Sequence, residues 1–130
     1  MARVVLIDDD KALRRSLRIA LERSGHEIVE AANGREGLAA FAIQPADIVV
    51  TDIVMPELEG VELIQAIRKM SPRVPIIAIS GGGRGKSADY LRLATFFGAT
   101  QALEKPFTID ALRAAIAALL GPPAENPDRV

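Results

Sequence analysis

Five times along the chain a short strand-like run, apolar in the first four, gives way to an amphipathic segment, and no other feature narrows the fold as far. The first four runs are Val4-Val5-Leu6-Ile7, Ile28-Val29-Glu30-Ala31, Ile48-Val49-Val50 and Ile76-Ile77-Ala78-Ile79. Runs with little or no polar alternation mark strands buried on both faces. A weaker strand over 100–104 has little apolar content and belongs at an edge. Helices are predicted over 11–23, 34–43, 60–70, 87–97 and 109–120. Asp10 is placed to cap the first, which groups Leu13, Leu17, Ala20 and Leu21 on one face. Leu38, Phe41 and Ala42 should face inward from the second, and Val61, Ile64 and Ile67 from the third. Thr108 caps the last. Strands alternating with helices make an α/β domain, a doubly wound five-stranded parallel sheet with helices on both faces. One domain should fill residues 1–120. The polar stretch after Gly121-Pro122-Pro123 cannot extend a helix or a core, so 121–130 reads as a disordered tail or the start of a linker.

Composition removes several classes of function. The 130 residues include no cysteine, which excludes disulfides, thiol catalysis and thiolate metal sites and fits a cytoplasmic protein. Net charge is −1 and aromatic residues are 4%, so this chain is expected to make no direct contact with nucleic acid. No apolar run approaches the length of a membrane span, and a strand begins too early for a signal peptide.

The strand ends carry the chemistry. The first ends in Asp8-Asp9-Asp10, the third in Asp52, the fourth in Ser80 and the fifth in Lys105. In a parallel sheet these ends share one edge, and the crevice beyond that edge is where open α/β sheets bind ligands. Acids gathered there repel one another unless a cation sits among them. Carboxylates without Cys or His partners suit Mg²⁺. Acids, a divalent ion, a lysine and a hydroxyl together are what phosphoryl transfer onto a carboxylate requires.

Taken singly, none of these residues is distinctive. Asp8 and Asp9 could be acids at a helix N-terminus, Asp52 a turn former and Ser80 an ordinary strand-end hydroxyl. Lys105 could be a solvated surface lysine. Arg14, Arg15 and Arg18 read as a solvated helix face, and His26 as an exposed turn residue. Ser80-Gly81-Gly82-Gly83-Arg84-Gly85-Lys86-Ser87 follows a strand and precedes a helix, close to a phosphate-binding P-loop. It misses by one residue, because the first glycine of that pattern falls at Ser80. A haloacid-dehalogenase-like phosphatase with Asp52 as nucleophile would need a second Asp at position 54, which is Val54.

Order and spacing decide among these readings. Leu6-Ile7-Asp8-Asp9-Asp10, Thr51-Asp52-Ile53-Val54-Met55-Pro56, Ser80 after Ile79, and Lys105-Pro106-Phe107 together resemble the receiver domain of two-component response regulators. The resemblance runs from Arg3 to about Leu120. It implies the flavodoxin-like (βα)5 fold with strand order 2-1-3-4-5. It implies Asp52 as phosphoacceptor, with Mg²⁺ bound by Asp9, Asp52 and the backbone carbonyl of Val54, and Asp8 assisting through water. Ser80, Lys105 and backbone N–H groups near Ile53 and Gly81 would contact the phosphoryl group. Lys105-Pro106 would be cis, a form that only X-Pro bonds adopt at low cost. The implied donor is a sensor histidine kinase or a histidine phosphotransfer protein, and the output is an unknown downstream protein target. Such a chain is a signalling domain rather than a turnover enzyme, although it assists its own phosphorylation and dephosphorylation. With no effector segment following, a stand-alone receiver is expected. A receiver-like adaptor that binds without phosphorylation is the competing reading, and the intact Asp9, Asp52 and Lys105 weigh against it. Three features depart from the pattern: Ala102 where a switch aromatic often stands, a long glycine-rich loop after Ser80, and an apolar Val54.

Overall fold

The computed structural model describes residues 2–53, 60–80, 92, 94, 95 and 97–120. In chain order they form β1 (Arg3–Ile7), α1 (Lys11–Arg23), β2 (Glu27–Ala31), α2 (Gly34–Ile43), β3 (Ile48–Asp52), α3 (Gly60–Met70), β4 (Ile76–Ser80), β5 (Gln101–Glu104) and α4 (Ile109–Leu120). Residues 92, 94 and 95 are helical, within the helix expected over 87–97. Phe97, the last residue of that expected helix, lies in a turn, and the other residues of the range lie outside the described residues, as do Val54, the Gly81–Gly85 loop and 121–130.

The strands pair in the order β2-β1-β3-β4-β5, and every pair is parallel. The expected architecture and strand order are therefore those of the molecule. Alternation along each strand divides the side chains between two cores. Val5, Ile7, Val49, Ile76 and Ala78 meet Phe41 of α2 and Leu63, Ile64 and Ile67 of α3. Val4, Leu6, Ile48, Val50, Ile77 and Ile79 meet Leu17 and Leu21 of α1 and Leu112, Ala115 and Ile116 of α4. All five residues of β3 and of β4 are buried, as a central strand covered on both faces must be. β5 is half-buried and closes one edge of the sheet.

Local chemistry sets where the helices begin. The Asp10 carboxylate accepts the Leu13 N–H at 3.1 Å, and Thr108 Oγ1 accepts the Ala111 N–H at 3.0 Å. Asn33 accepts the Glu36 N–H at 2.9 Å, while the Glu36 carboxylate accepts the Ala32 N–H at 3.0 Å. The first bond satisfies a donor the helix itself leaves open, and the second holds the chain that enters the helix. Gly37 lets α2 lie directly on β1, since a β-carbon there would overlap the side chain of Ile7.

Two expectations about individual side chains do not hold. Ala42 is exposed, because α2 seats Gly34, Gly37 and Phe41 against the sheet and the next residue is turned about 100° from Phe41 around the helix axis. His26 is half-buried rather than an exposed turn residue, and its Nδ1 has no hydrogen-bond partner among the described residues. Burial pushes its imidazole pKa below the ordinary value, with the N-terminal amine adding to the effect.

Arg68 holds the opposite end of the sheet. Its guanidinium donates to the carbonyls of Gly98 (3.0 Å), Ser71 (3.2 Å) and Val74 (2.6 Å), and to Thr100 Oγ1 at 3.3 Å. Thr100 Oγ1 in turn accepts the Ile76 N–H at 3.0 Å. One side chain thus ties the end of α3 to the starts of β4 and β5. Arg68→Met keeps the aliphatic stem but strips four acceptors of a charged donor. It is expected to lower stability by about 2 kcal/mol or more, read as an earlier midpoint in urea unfolding at unchanged slope.

Candidate functional site

At the carboxyl edge of the sheet, strand ends deliver three acids to one point. Asp8 follows β1 directly, Asp52 is the last residue of β3, and β1 and β3 are hydrogen-bonded neighbours. One carboxylate oxygen from each of Asp8, Asp9 and Asp52 lies within 4.8 Å of the others. Their surroundings differ. Asp8 is 1% exposed and Asp52 6%, whereas Asp9 is open to solvent. The Asp8 carboxylate accepts the Asp10 N–H at 2.9 Å, and Thr51 donates its hydroxyl to the Asp52 carbonyl at 2.8 Å.

Lys105 follows β5 directly, and its bond to Pro106 is cis. Its ammonium lies 3.2 Å from Asp52 Oδ2 and 3.4 Å from Asp8 Oδ2. Lys105 N–H donates to the Ser80 carbonyl at 2.8 Å, which fixes the end of β5 against the end of β4. Ser80 is 1% exposed at that end. The structure thus brings Asp8, Asp9, Asp52, Ser80 and Lys105 to one edge. Ile53 is also there, but its N–H donates to the Ile79 carbonyl at 3.0 Å and is engaged in the sheet. Val54 and Gly81 lie outside the described residues.

The charges are unbalanced. Burial pushes the Asp8 carboxyl pKa up; the Asp10 N–H draws it down, Asp52 pushes it up and Lys105 draws it down, and the net direction is upward. For Lys105, burial favours the neutral amine, but the Asp52 and Asp8 carboxylates outweigh it and hold the pKa above its ordinary value. A buried acid disfavoured in its charged form, beside two more carboxylates and one ammonium, is a site short of positive charge. The donors are all hard oxygens, so the residues fit a divalent cation of the Mg²⁺ kind.

A stability effect follows from this imbalance. With its folded pKa raised, Asp8 keeps its proton in the fold at pH values where the unfolded chain has lost it. The folded state then binds more protons, so stability without metal falls as pH rises from the ordinary carboxyl pKa through the raised one. Asp52→Asn removes one of the two buried carboxylates and leaves Asp8 paired with Lys105. The variant is expected to melt a few degrees higher than wild type without metal at neutral pH, corresponding to about 1 kcal/mol. Added Mg²⁺ should raise the melting point of wild type more than that of the variant. Equal Mg²⁺ shifts in both proteins would show that Asp52 does not share the cation site.

Two residues in this region have more structure around them than their sequence context reveals. Gly60, which opens α3, passes so close to β3 that a β-carbon would overlap the Cα of Ile53 and lie 2.9 Å from the Asp52 carbonyl. Arg14 is not part of a solvated face. It donates to the Asp8 carbonyl at 2.7 Å and to Glu30 Oε1 at 2.7 Å, with its side chain 12% exposed. Its position one turn into the helix that follows the acid run was the signal available.

Comparison with known proteins agrees with this geometry. The family model for the response regulator receiver domain matches residues 4–117. The response regulator MprA of Mycolicibacterium vanbaalenii is 35% identical over 119 residues, which are 91% of this chain and 50% of that protein. The KDP operon transcriptional regulatory protein KdpE of Escherichia coli is 36% identical over 114 residues, 88% of this chain and 49% of that protein. A crystal structure of a response regulator receiver domain protein from Clostridium thermocellum superposes with a TM-score of 0.84 at 32% identity, covering 92% of this chain and 94% of that one.

These relatives overturn one expectation. The chain spans about half the length of MprA and KdpE, and KdpE is by name a transcriptional regulator. A stand-alone receiver with no nucleic-acid partner is therefore not supported. The net charge of −1 describes these 130 residues and carries no information about what a longer regulator touches. Among the described residues no helix is long and apolar enough to cross a membrane. Fold, matched family and relatives agree: the chain belongs to the response regulator receiver domain family.

Proposed function

We propose that this domain accepts a phosphoryl group onto Asp52 from the phosphohistidine of a sensor histidine kinase or a histidine phosphotransfer protein, in the cytoplasm. The observation that carries the reading is the Lys105 ammonium placed between Asp52 and Asp8, with a third carboxylate, Asp9, in the same cluster. A carboxylate oxygen of Asp52 attacks phosphorus, the P–N bond breaks with its electron pair left on the imidazole, and the imidazole takes a proton from solvent. The product is an acyl phosphate. Asp9 and Asp52, with Asp8 behind them, would hold Mg²⁺, which supplies positive charge to the phosphoryl oxygens. Lys105 supplies a second, fixed positive charge, and Ser80 offers a hydroxyl donor from the neighbouring strand end. Catalysis here is positioning and charge neutralisation, so the domain also assists loss of the group to water.

The consequence is a change of state passed to a downstream target. Ser80 and Lys105 bond the phosphoryl group only when it is present, so they favour whichever arrangement of their strand ends reaches it. The relatives favour control of transcription as the output of the protein that carries this receiver, as the name of KdpE states for that protein.

Beryllofluoride, a mimic of the acyl phosphate, tests the site without turnover. With Mg²⁺ it is expected to shift the backbone resonances of Asp52, Ser80 and Lys105 together, and to do nothing without Mg²⁺ or in Asp52→Asn. Shifts that appear equally in that variant would place the acceptor elsewhere.

A further inference from the structure

Asp9 is the open acid of the cluster, and its carboxylate has no hydrogen bond or ion pair among the described residues. Its aim therefore depends on the backbone from Asp8 to Asp10. That backbone is held at four points. Asp8 N–H donates to the Ala31 carbonyl of β2 at 3.2 Å, the last bond of the sheet on that side. Asp10 N–H returns to the Asp8 carboxylate at 2.9 Å, and Leu13 N–H goes to the Asp10 carboxylate at 3.1 Å. The fourth is the Asp8 carbonyl, which accepts from Arg14 Nη1 at 2.7 Å.

Arg14 is itself anchored. Its Nε donates to Glu30 Oε1 at 2.7 Å, and the other oxygen of Glu30 takes Arg18 Nη1 at 2.9 Å. Glu30 lies on β2, the strand that also supplies the Ala31 carbonyl. The guanidinium charge is thus met by a carboxylate on the sheet, and what remains directed at the acids is a fixed donor.

We infer that Arg14, held by Glu30, is a positioning residue for the cation site: by fixing the Asp8 carbonyl it sets the turn that aims Asp9. The inference rests on the reading of the acid cluster as a Mg²⁺ site. Outer-shell groups that orient ligands typically contribute tenfold or more to metal affinity. The bonds of Arg14 go to the Asp8 carbonyl and to Glu30 and not to the three clustered carboxylates, so its effect is transmitted through the backbone.

The test is Mg²⁺ titration of wild type, Arg14→Met and Arg14→Lys by calorimetry, well below each melting temperature, alongside amide spectra of the metal-free proteins. Arg14→Met should weaken Mg²⁺ binding about tenfold or more and shift the Asp9 and Asp10 amide resonances before any metal is added. Arg14→Lys keeps one donor and the charge and should recover part of the affinity. Glu30→Gln, which loosens Arg14 without removing it, should fall between wild type and Arg14→Met, and it carries the test if Arg14→Met does not fold. Affinities of Arg14→Met and wild type within about twofold, or of Glu30→Gln and wild type where only that variant folds, would overturn the positioning role while leaving the cation site standing. Absence of saturable Mg²⁺ binding in wild type would overturn the site reading, and the positioning role with it.

Discussion

Asp52→Asn is expected to lose phosphoryl uptake completely while folding as well as wild type or better. The amide nitrogen and carbonyl of asparagine keep the shape of the carboxylate but supply no anionic oxygen to attack phosphorus. Asp8 and Asp9 remain in the variant and are the acids that could take over. Asp8 is 1% exposed, enclosed at the end of β1 with one oxygen bound by the Asp10 N–H. Asp9 is accessible but, among the described residues, faces no ammonium, since Lys105 reaches Asp8 and Asp52. Neither is placed to replace Asp52. Transfer from acetyl phosphate, followed by intact mass, checks this. A residual, Mg²⁺-dependent gain in Asp52→Asn would move the nucleophile to one of those two acids.

The second large effect falls on stability. Gly60 stands where α3 begins, and its N–H donates to the Ile53 carbonyl at 3.2 Å. A methyl group at this position would overlap the Cα and Cβ of Ile53 and crowd the Asp52 carbonyl, none of which can swing aside as the tip of a long side chain can. Gly60→Ala must therefore push the start of α3 away from the end of β3. That loosens the packing of Leu63, Ile64 and Ile67 on the sheet and disturbs the strand end that carries Asp52. The expected cost is about 3 kcal/mol or more. The corresponding drop in Tm is roughly 10 °C or more by thermal unfolding. A Tm within about 2 °C of wild type would show that α3 can shift at little cost.

Much of the fold was legible because its signals are local. Ile48-Val49-Val50 and Ile76-Ile77-Ala78-Ile79 have no polar alternation, and both proved to be strands buried on each face. Asp10 and Thr108 cap helices where their short oxygens said they would. The site acids and Lys105 could be collected because a parallel sheet puts every carboxyl end on one edge. What was illegible depends on partners distant in sequence. The place of Arg14 one turn past the acid run hints at contact with that run but does not name the Asp8 carbonyl or Glu30, and nothing near Arg68 names Gly98 or Thr100 as its acceptors. Asp8 and Asp9 look alike in sequence, yet the sheet buries one and exposes the other. Ala42 has the right spacing for a buried face, but it lies past the last point where α2 touches the sheet. The output was misjudged for another reason: charge and composition speak only for the residues they count, and MprA and KdpE are about twice this length.

Intact-mass spectrometry of wild type after incubation with acetyl phosphate, with and without Mg²⁺, followed by mapping of the modified peptide, tests the central assignment most directly. The expected result is one added phosphoryl group that requires Mg²⁺, is removed by hydroxylamine as an acyl phosphate is, and maps to Asp52. No added group under conditions that modify another receiver, or a group on any other residue, would contradict it.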